Sequence, residues 1–123
     1  MKFTLDRPGG AHLVRAYSPG QIRIGDRDIA TSLIVTATTL IEPWRPRRID
    51  ELEPADLEPV VALGPQVLLI GTGARQVFPG PQVFAALHAA RIGFEVMDTG
   101  AACRTYNVLV AEDRRVAAAL LIE

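Results

Sequence analysis

Cysteine is almost absent from this sequence: Cys103 is the only one. An internal disulfide is thereby excluded, and too few thiolates remain for a structural zinc or iron–sulfur site. A chain of this kind suits a reducing compartment. Lysine is as scarce, with Lys2 alone, so positive charge is carried by arginine. Together with the many alanines this points to a GC-rich bacterial genome. Long hydrophobic runs are missing too: no stretch reaches the roughly 18 apolar residues of a membrane helix. The start, Met1-Lys2-Phe3-Thr4-Leu5-Asp6, has no basic leader followed by an apolar run. Both absences predict a cytoplasmic protein without membrane insertion. Nor does either charge dominate, because a net charge of −1 at pH 7 gives no overall basic field for nucleic acid.

What is present is the balance of an ordinary globular domain. With 49% hydrophobic and 22% charged residues among 123, the chain can bury one core and has no room for a second. Residues 1–123 are therefore expected to form a single domain.

The first part reads as β structure. Phe3 and Leu5 alternate with polar neighbours before Pro8-Gly9-Gly10 breaks the run. Strands follow at Leu13 to Tyr17 and around Ile22 and Ile24, with turns at Ser18-Pro19-Gly20 and Gly25-Asp26-Arg27, giving a short meander of hairpins. Leu33 to Ile41 is rich in β-branched residues and predicts one longer strand ended by Pro43 and Pro46.

Near Ile49 the pattern changes. The acidic stretch Asp50 to Glu58 suits the start of a helix whose buried side is Leu57, Val60 and Val61, and which Gly64-Pro65 terminates. Val67 to Ile70 reads as a strand buried on both faces. Pro81 opens a helix with Val83, Leu87 and Ala90 as its stripe and Gly93 as its stop. Phe94 to Met97 reads as a second buried strand. Ala102, Tyr106, Leu109 and Val110 recur at helical spacing from Thr99 to about Glu112, and Val116 to Ile122 returns as a strand. This alternation predicts an α/β fold with a largely parallel sheet.

In such sheets ligands collect beyond the carboxyl ends of the strands. Two ends are visible, at Gly71-Thr72-Gly73-Ala74-Arg75 and at Asp98-Thr99-Gly100. Glycines permit close backbone approach, Arg75 can meet an anion, and Asp98 or Thr99 can cap the following helix. The first segment fails as a dinucleotide fingerprint. Gln76 stands where the third glycine belongs, and the helix begins only after Phe78-Pro79-Gly80-Pro81. No Gly-Lys-Ser/Thr follows, so there is no P-loop. No cofactor is implied.

Cys103 lies about one turn inside the helix that starts at Thr99, beside an amino terminus that can lower a thiol pKa and make it a nucleophile, yet it flanks the stripe of Ala102 and Tyr106, which favours a packing role. His12 and His88 cannot be joined to it or to a serine, so no triad or dyad is assigned. No His/Cys/Asp/Glu grouping has the spacing of a metal site. Arg45, Arg47 and Arg48 beside Trp44 form the one basic and aromatic cluster, a candidate partner surface. Its plainer role is a solvated loop paired with the acidic stretch after it.

Gly71-Thr72-Gly73, Glu95-Val96-Met97-Asp98-Thr99, Ala102, Thr105-Tyr106-Asn107-Val108-Leu109 and Glu112 together resemble the Mth938-domain family, whose members include a mitochondrial respiratory complex I assembly factor. The resemblance runs from the Ser18-Pro19-Gly20 turn to the last strand. It implies a three-layer α/β arrangement around a mixed central sheet with extra amino-terminal β-hairpin strands. The family supplies no catalytic residues.

Two functions are thus expected to compete. One is a non-enzymatic interaction or assembly module with a protein partner, using Trp44, Arg45, Arg47 and Arg48 or the strand-end loops. The other is an anionic-ligand binding protein or enzyme using Gly71, Thr72, Gly73, Arg75, Asp98 and Thr99. Whether the chain forms a homo-oligomer is open at this point.

Overall fold

Strand β1 (Val14–Ser18) begins a meander with β2 (Gln21–Ile24) and β3 (Arg27–Ile29), paired antiparallel in that order. The computed structural model describes residues 10–123, so the strand expected at Phe3 to Leu5 and the residues Pro8 and Gly9 lie outside the described residues. The first turn is made possible by Gly20, at φ 88. Within β1 the register slips between Val14 and Ala16. That bulge lets Val14 and Tyr17, an odd number of residues apart, both pack on the same core.

The long strand expected over Leu33 to Ile41 is instead a hairpin of β4 (Ser32–Thr36) and β5 (Leu40–Trp44). Thr36 causes the break. Its Oγ1 accepts from the backbone N–H of Thr38 and of Thr39 at 3.3 and 3.0 Å, and its own N–H donates to Thr39 O at 2.8 Å. Pro43 does not end the strand but lies inside β5, which proline tolerates because β5 is a sheet edge.

Asp50 to Glu58 forms two single turns of 3-10 helix, Ile49–Glu51 and Pro54–Leu57, before the short helix α1 (Glu58–Leu63). The interruption is local: Glu53, preceding Pro54, is held extended at φ −123 and ψ 157. Leu57 and Val60 are buried as expected, whereas Val61 is 47% exposed. Gly64, at φ 62, closes α1 by donating to Val60 O and Val61 O.

The remainder is the alternating unit: β6 (Val67–Gly71), α2 (Pro81–Ala89), β7 (Gly93–Met97), α3 (Thr99–Ala111) and β8 (Val116–Leu120). The five-stranded sheet runs β5-β4-β8-β6-β7. It is mixed: β6 pairs parallel with β7 and β8, while β4 pairs antiparallel with β5 and β8. Strand β8 takes the centre because Val116-Ala117-Ala118-Ala119-Leu120 is buried throughout, and small side chains let layers approach on both faces. Strand β7 is a partly exposed edge and not a second buried strand. The stop after α2 falls on Arg91 at φ 58, leaving Gly93 to open β7.

Alternation along the strands sorts two cores. Leu69, Ala118 and Leu120 face α3 and the meander, with Val14, Ile22, Ala102 and Tyr106. Leu68, Ile70, Ala117 and Ala119 face the other way, with Trp44, Leu57, Val60, Val83 and Leu87. The result is three layers around the mixed sheet, as the alternation and the resemblance together imply.

Candidate functional site

Because β6 and β7 are neighbours, their carboxyl ends bring the two expected loops together. They meet in direct hydrogen bonds. Thr72 N–H donates to Met97 O at 2.9 Å and Thr99 N–H to Gly73 O at 2.8 Å. In return, Gly73 N–H donates to Thr99 Oγ1 at 2.8 Å, and that hydroxyl donates to Leu121 O, also at 2.8 Å. Thr99 is completely buried, so both capacities of its hydroxyl are spent inside the protein.

The glycines serve this closure. A Cβ on Gly71 would stand 2.9 Å from Thr99 Cα, and one on Gly73 would stand 2.1 Å from the Glu123 carbonyl oxygen. Leu121 N–H donates to Gly71 O at 2.9 Å. Residues Leu121 to Glu123 thereby occupy the space beyond β6 where a ligand sits in open α/β sheets. Asp98 caps α3, its Oδ1 accepting from Ala101 N–H at 2.8 Å. Thr72 Oγ1 donates to Arg75 O at 2.5 Å and accepts from Val77 N–H at 3.1 Å, folding the next loop over the junction.

Beside that junction is an open concavity of about 370 Å³, lined by Arg48, Asp50, Thr72, Arg75, Val77 and Glu123 among others. It joins the two regions that the sequence presents separately: the arginine loop and the loop after β6. Glu123 is the hinge of this arrangement, since its N–H donates to Arg47 O at 3.0 Å and its carboxylate pairs with the Arg47 guanidinium. Thr72, itself buried, and exposed Arg75 line the opening, whereas Gly71, Gly73 and Thr99 are buried and do not.

Trp44 is inside. It is only 5% exposed, and its Nε1–H donates to Asp56 O at 3.0 Å. The three arginines of the cluster are outside and paired: Arg45 with Asp56 at 2.6 Å, Arg47 with Glu123, and Arg48 with Asp50 at 3.3 Å. The acidic stretch thus pairs with Arg45 and Arg48, while Arg47 is paired by Glu123 from the far end of the chain. The Arg45 guanidinium, through its hydrogen bonds, holds the Asp56 carboxyl below its ordinary value. The Arg47 N–H does the same for Glu51.

Cys103 is buried, and burial pushes its thiol up to about 12. Desolvation outweighs the neighbouring Arg104 charge, which acts in the opposite direction. Thr105-Tyr106-Asn107 has a mechanical role. The Tyr106 hydroxyl donates to His12 O at 2.7 Å; Asn107 Nδ2 donates to Val14 O at 2.8 Å, and Asn107 Oδ1 accepts from Val14 N–H at 3.0 Å. Asn107 acts as a substitute strand for the residue at the β1 bulge. Sequence reasoning missed Val77, Phe78 and Glu123. The first two carried a signal, an apolar pair in a Gly/Pro loop with no periodicity to bury it.

Fold and junction define the class: a three-layer α/β domain of the Mth938 type, whose strand-end loops are closed by the protein's own groups. The chain belongs to the family described as Protein of unknown function (DUF498/DUF598), whose profile matches residues 14–121. A Bordetella pertussis protein described as a Mth938-like domain superposes with a TM-score of 0.83 at 31% identity, covering 99% of this chain and 92% of that one. The zebrafish (Danio rerio) NADH dehydrogenase (ubiquinone) 1 alpha subcomplex assembly factor 3 is 32% identical over 111 residues, covering 89% of this chain and 63% of the relative. The chain therefore spans less than two thirds of that assembly factor. A Francisella tularensis protein named 13 kDa major membrane protein is 28% identical over 110 residues, covering 87% of this chain and 88% of that one. Among the described residues no helix is long and apolar enough to cross a membrane.

Proposed function

We propose that this protein is a non-enzymatic interaction module with an assembly-factor-like role, binding a protein partner through the surface around the concavity between Arg48 and Arg75. The observation that carries this reading is the closed junction. Thr99, Gly71 and Gly73 use their polar groups or their lack of a side chain to lock β6, β7 and Leu121 together. Among the described residues that leaves no acid, base and nucleophile set at the usual place for chemistry. The likeness to an assembly factor supports the same direction. Native pull-down with mass spectrometry from a bacterial host tests it: a reproducible partner is expected, and its absence under mild conditions sinks the proposal. A cytoplasmic location belongs to this reading, and cell fractionation checks it against the membrane assignment in the Francisella relative's name.

The concavity itself favours a second reading, an anionic small molecule held at Arg75 with Thr72 at its rim. Thermal shift against a metabolite panel decides. A stabilising compound whose effect is lost in Arg75→Ala supports this reading, and a panel without hits removes it. Asp98→Ala separates the cap from the rim, because Asp98 binds its own helix.

A further inference from the structure

Strand β7 is the end of the five-stranded sheet. Met97 O accepts from Thr72 N–H on the β6 side, and residues along a parallel strand alternate in the side to which their backbone groups point. The N–H and C=O groups of Phe94 and Val96 therefore face away from β6. Val96 O accepts from Gln76 Nε2 at 2.9 Å, so a side chain stands where a further strand would bond.

The loop that brings Gln76 to this edge also exposes Val77 and Phe78, at 38% and 66%. It carries Arg75 as well. Where Arg47 and Arg48 have carboxylate partners, no ion pair among the described residues involves Arg75. The loop bonded to this strand edge thus carries, within three residues of one another, a positive charge with no ion-pair partner among the described residues and two exposed apolar side chains.

We propose that the outer edge of β7 receives an extended segment of a partner protein as an added strand, displacing the Gln76 amide, with an acidic side chain set against Arg75 and apolar ones against Val77 and Phe78. This assignment rests on the interaction-module reading and gives the partner its chemistry. Main-chain hydrogen bonds supply affinity in this mode, and alternate side chains supply specificity. Exposed Glu95, on β7 itself, assigns the acidic residue to the Arg75 end and excludes it from the position opposite Glu95. A second copy fits less well, because a two-fold β7–β7 pairing centred on the strand sets Glu95 against Glu95.

Phage display of random peptides on the purified whole chain tests the proposal. The enriched peptides are expected to alternate apolar residues and to carry Asp or Glu. Val96→Pro removes the outward N–H and leaves the bonds to β6 in place, so it should weaken a selected peptide about tenfold or more. Arg75→Glu should weaken it about tenfold and turn a repeated selection basic. Enrichment without acidic bias, binding unchanged in Val96→Pro, or wild-type self-association lost in Val96→Pro would each overturn the proposal. If Val96→Pro fails to fold, amide exchange in the unaltered chain decides: protection of Phe94 and Val96 by the peptide supports the added strand, and unchanged exchange refutes it. Pull-down separates the two levels. Partners retained by both variants leave the interaction module standing and remove this edge; no partner at all removes the module.

Discussion

Thr99 and Gly73 bond to each other in both directions: Thr99 N–H donates to Gly73 O, and Gly73 N–H donates to Thr99 Oγ1, each at 2.8 Å. The same hydroxyl donates a hydrogen bond to Leu121 O. One side chain therefore ties the end of β6, the start of α3 and the segment after β8.

Thr99→Val keeps the shape and removes the hydroxyl. It leaves Gly73 N–H and Leu121 O unpaired in a buried place, which costs about 2–4 kcal/mol. Urea unfolding should show a lower midpoint with an unchanged slope, and Thr99→Ser should recover most of the loss. Equal midpoints for Thr99→Val and wild type would mean the junction is not held this way.

Asn107→Ala should loosen the meander without unfolding the sheet. Its carboxamide serves both Val14 N–H and Val14 O, so its loss costs about 1–2 kcal/mol. Hydrogen exchange at Val14 should accelerate far more than exchange at Ala118 in β8. Uniform acceleration would place Asn107 in the global core instead.

Cys103 sets an alkaline limit. Its thiol ionises near the ordinary 9.0 when unfolded and at about 12 when folded, because burial opposes the thiolate. A raised folded value means that the stability contribution is whole below about pH 9 and is lost as pH rises toward 12. Stability should fall there by about 1.4 kcal/mol per pH unit for this proton. Tyr106, also raised by burial, adds to the decline from pH 10 upward. Cys103→Ala should reduce the slope just above pH 9. Thiol labelling at pH 8 should proceed only after denaturation, and rapid labelling of the native chain would contradict the burial.

Asp56 works at the acid end. Its folded value is held below the ordinary 3.8, chiefly by Arg45. The contribution is present above that value and disappears as pH falls through the folded one. Asp56→Asn should flatten the acid limb of a stability profile relative to wild type. An identical limb would show that this pair, half of it well exposed, is screened by solvent.

Local signals made much of the fold legible. The apolar run Val67 to Ile70, the Pro81 helix start, Gly64 and the Asp98 cap each depend on a few consecutive residues, and each was where the pattern put it. Elsewhere the deciding contact was missing from the pattern. Leu33 to Ile41 has strand composition throughout, yet the Thr36 hydroxyl competes for the backbone of Thr38 and Thr39 and folds the run into a hairpin. Phe94 to Met97 looks buried by composition, but its sheet position leaves one side open. Of the candidate site residues, the neighbouring positions of the two strand-end loops could be anticipated from the parallel unit. The burial of Trp44 could not, because its partner Asp56 O lies 12 positions away.

The sequence by itself determined the alternation of strands and helices and the places where Gly71-Thr72-Gly73 and Asp98-Thr99 end their strands, since these follow from periodicity, caps and turn residues acting over short distances. Only the tertiary structure decided that this junction is closed and that the neighbouring surface is the open one. That outcome depends on Leu121 to Glu123 returning across β6, and on a Cβ-free Gly73 that lets the Glu123 carbonyl approach. Such a contact, between residues 50 positions apart, has no local signature: it exists only once β8 has taken the centre of the sheet.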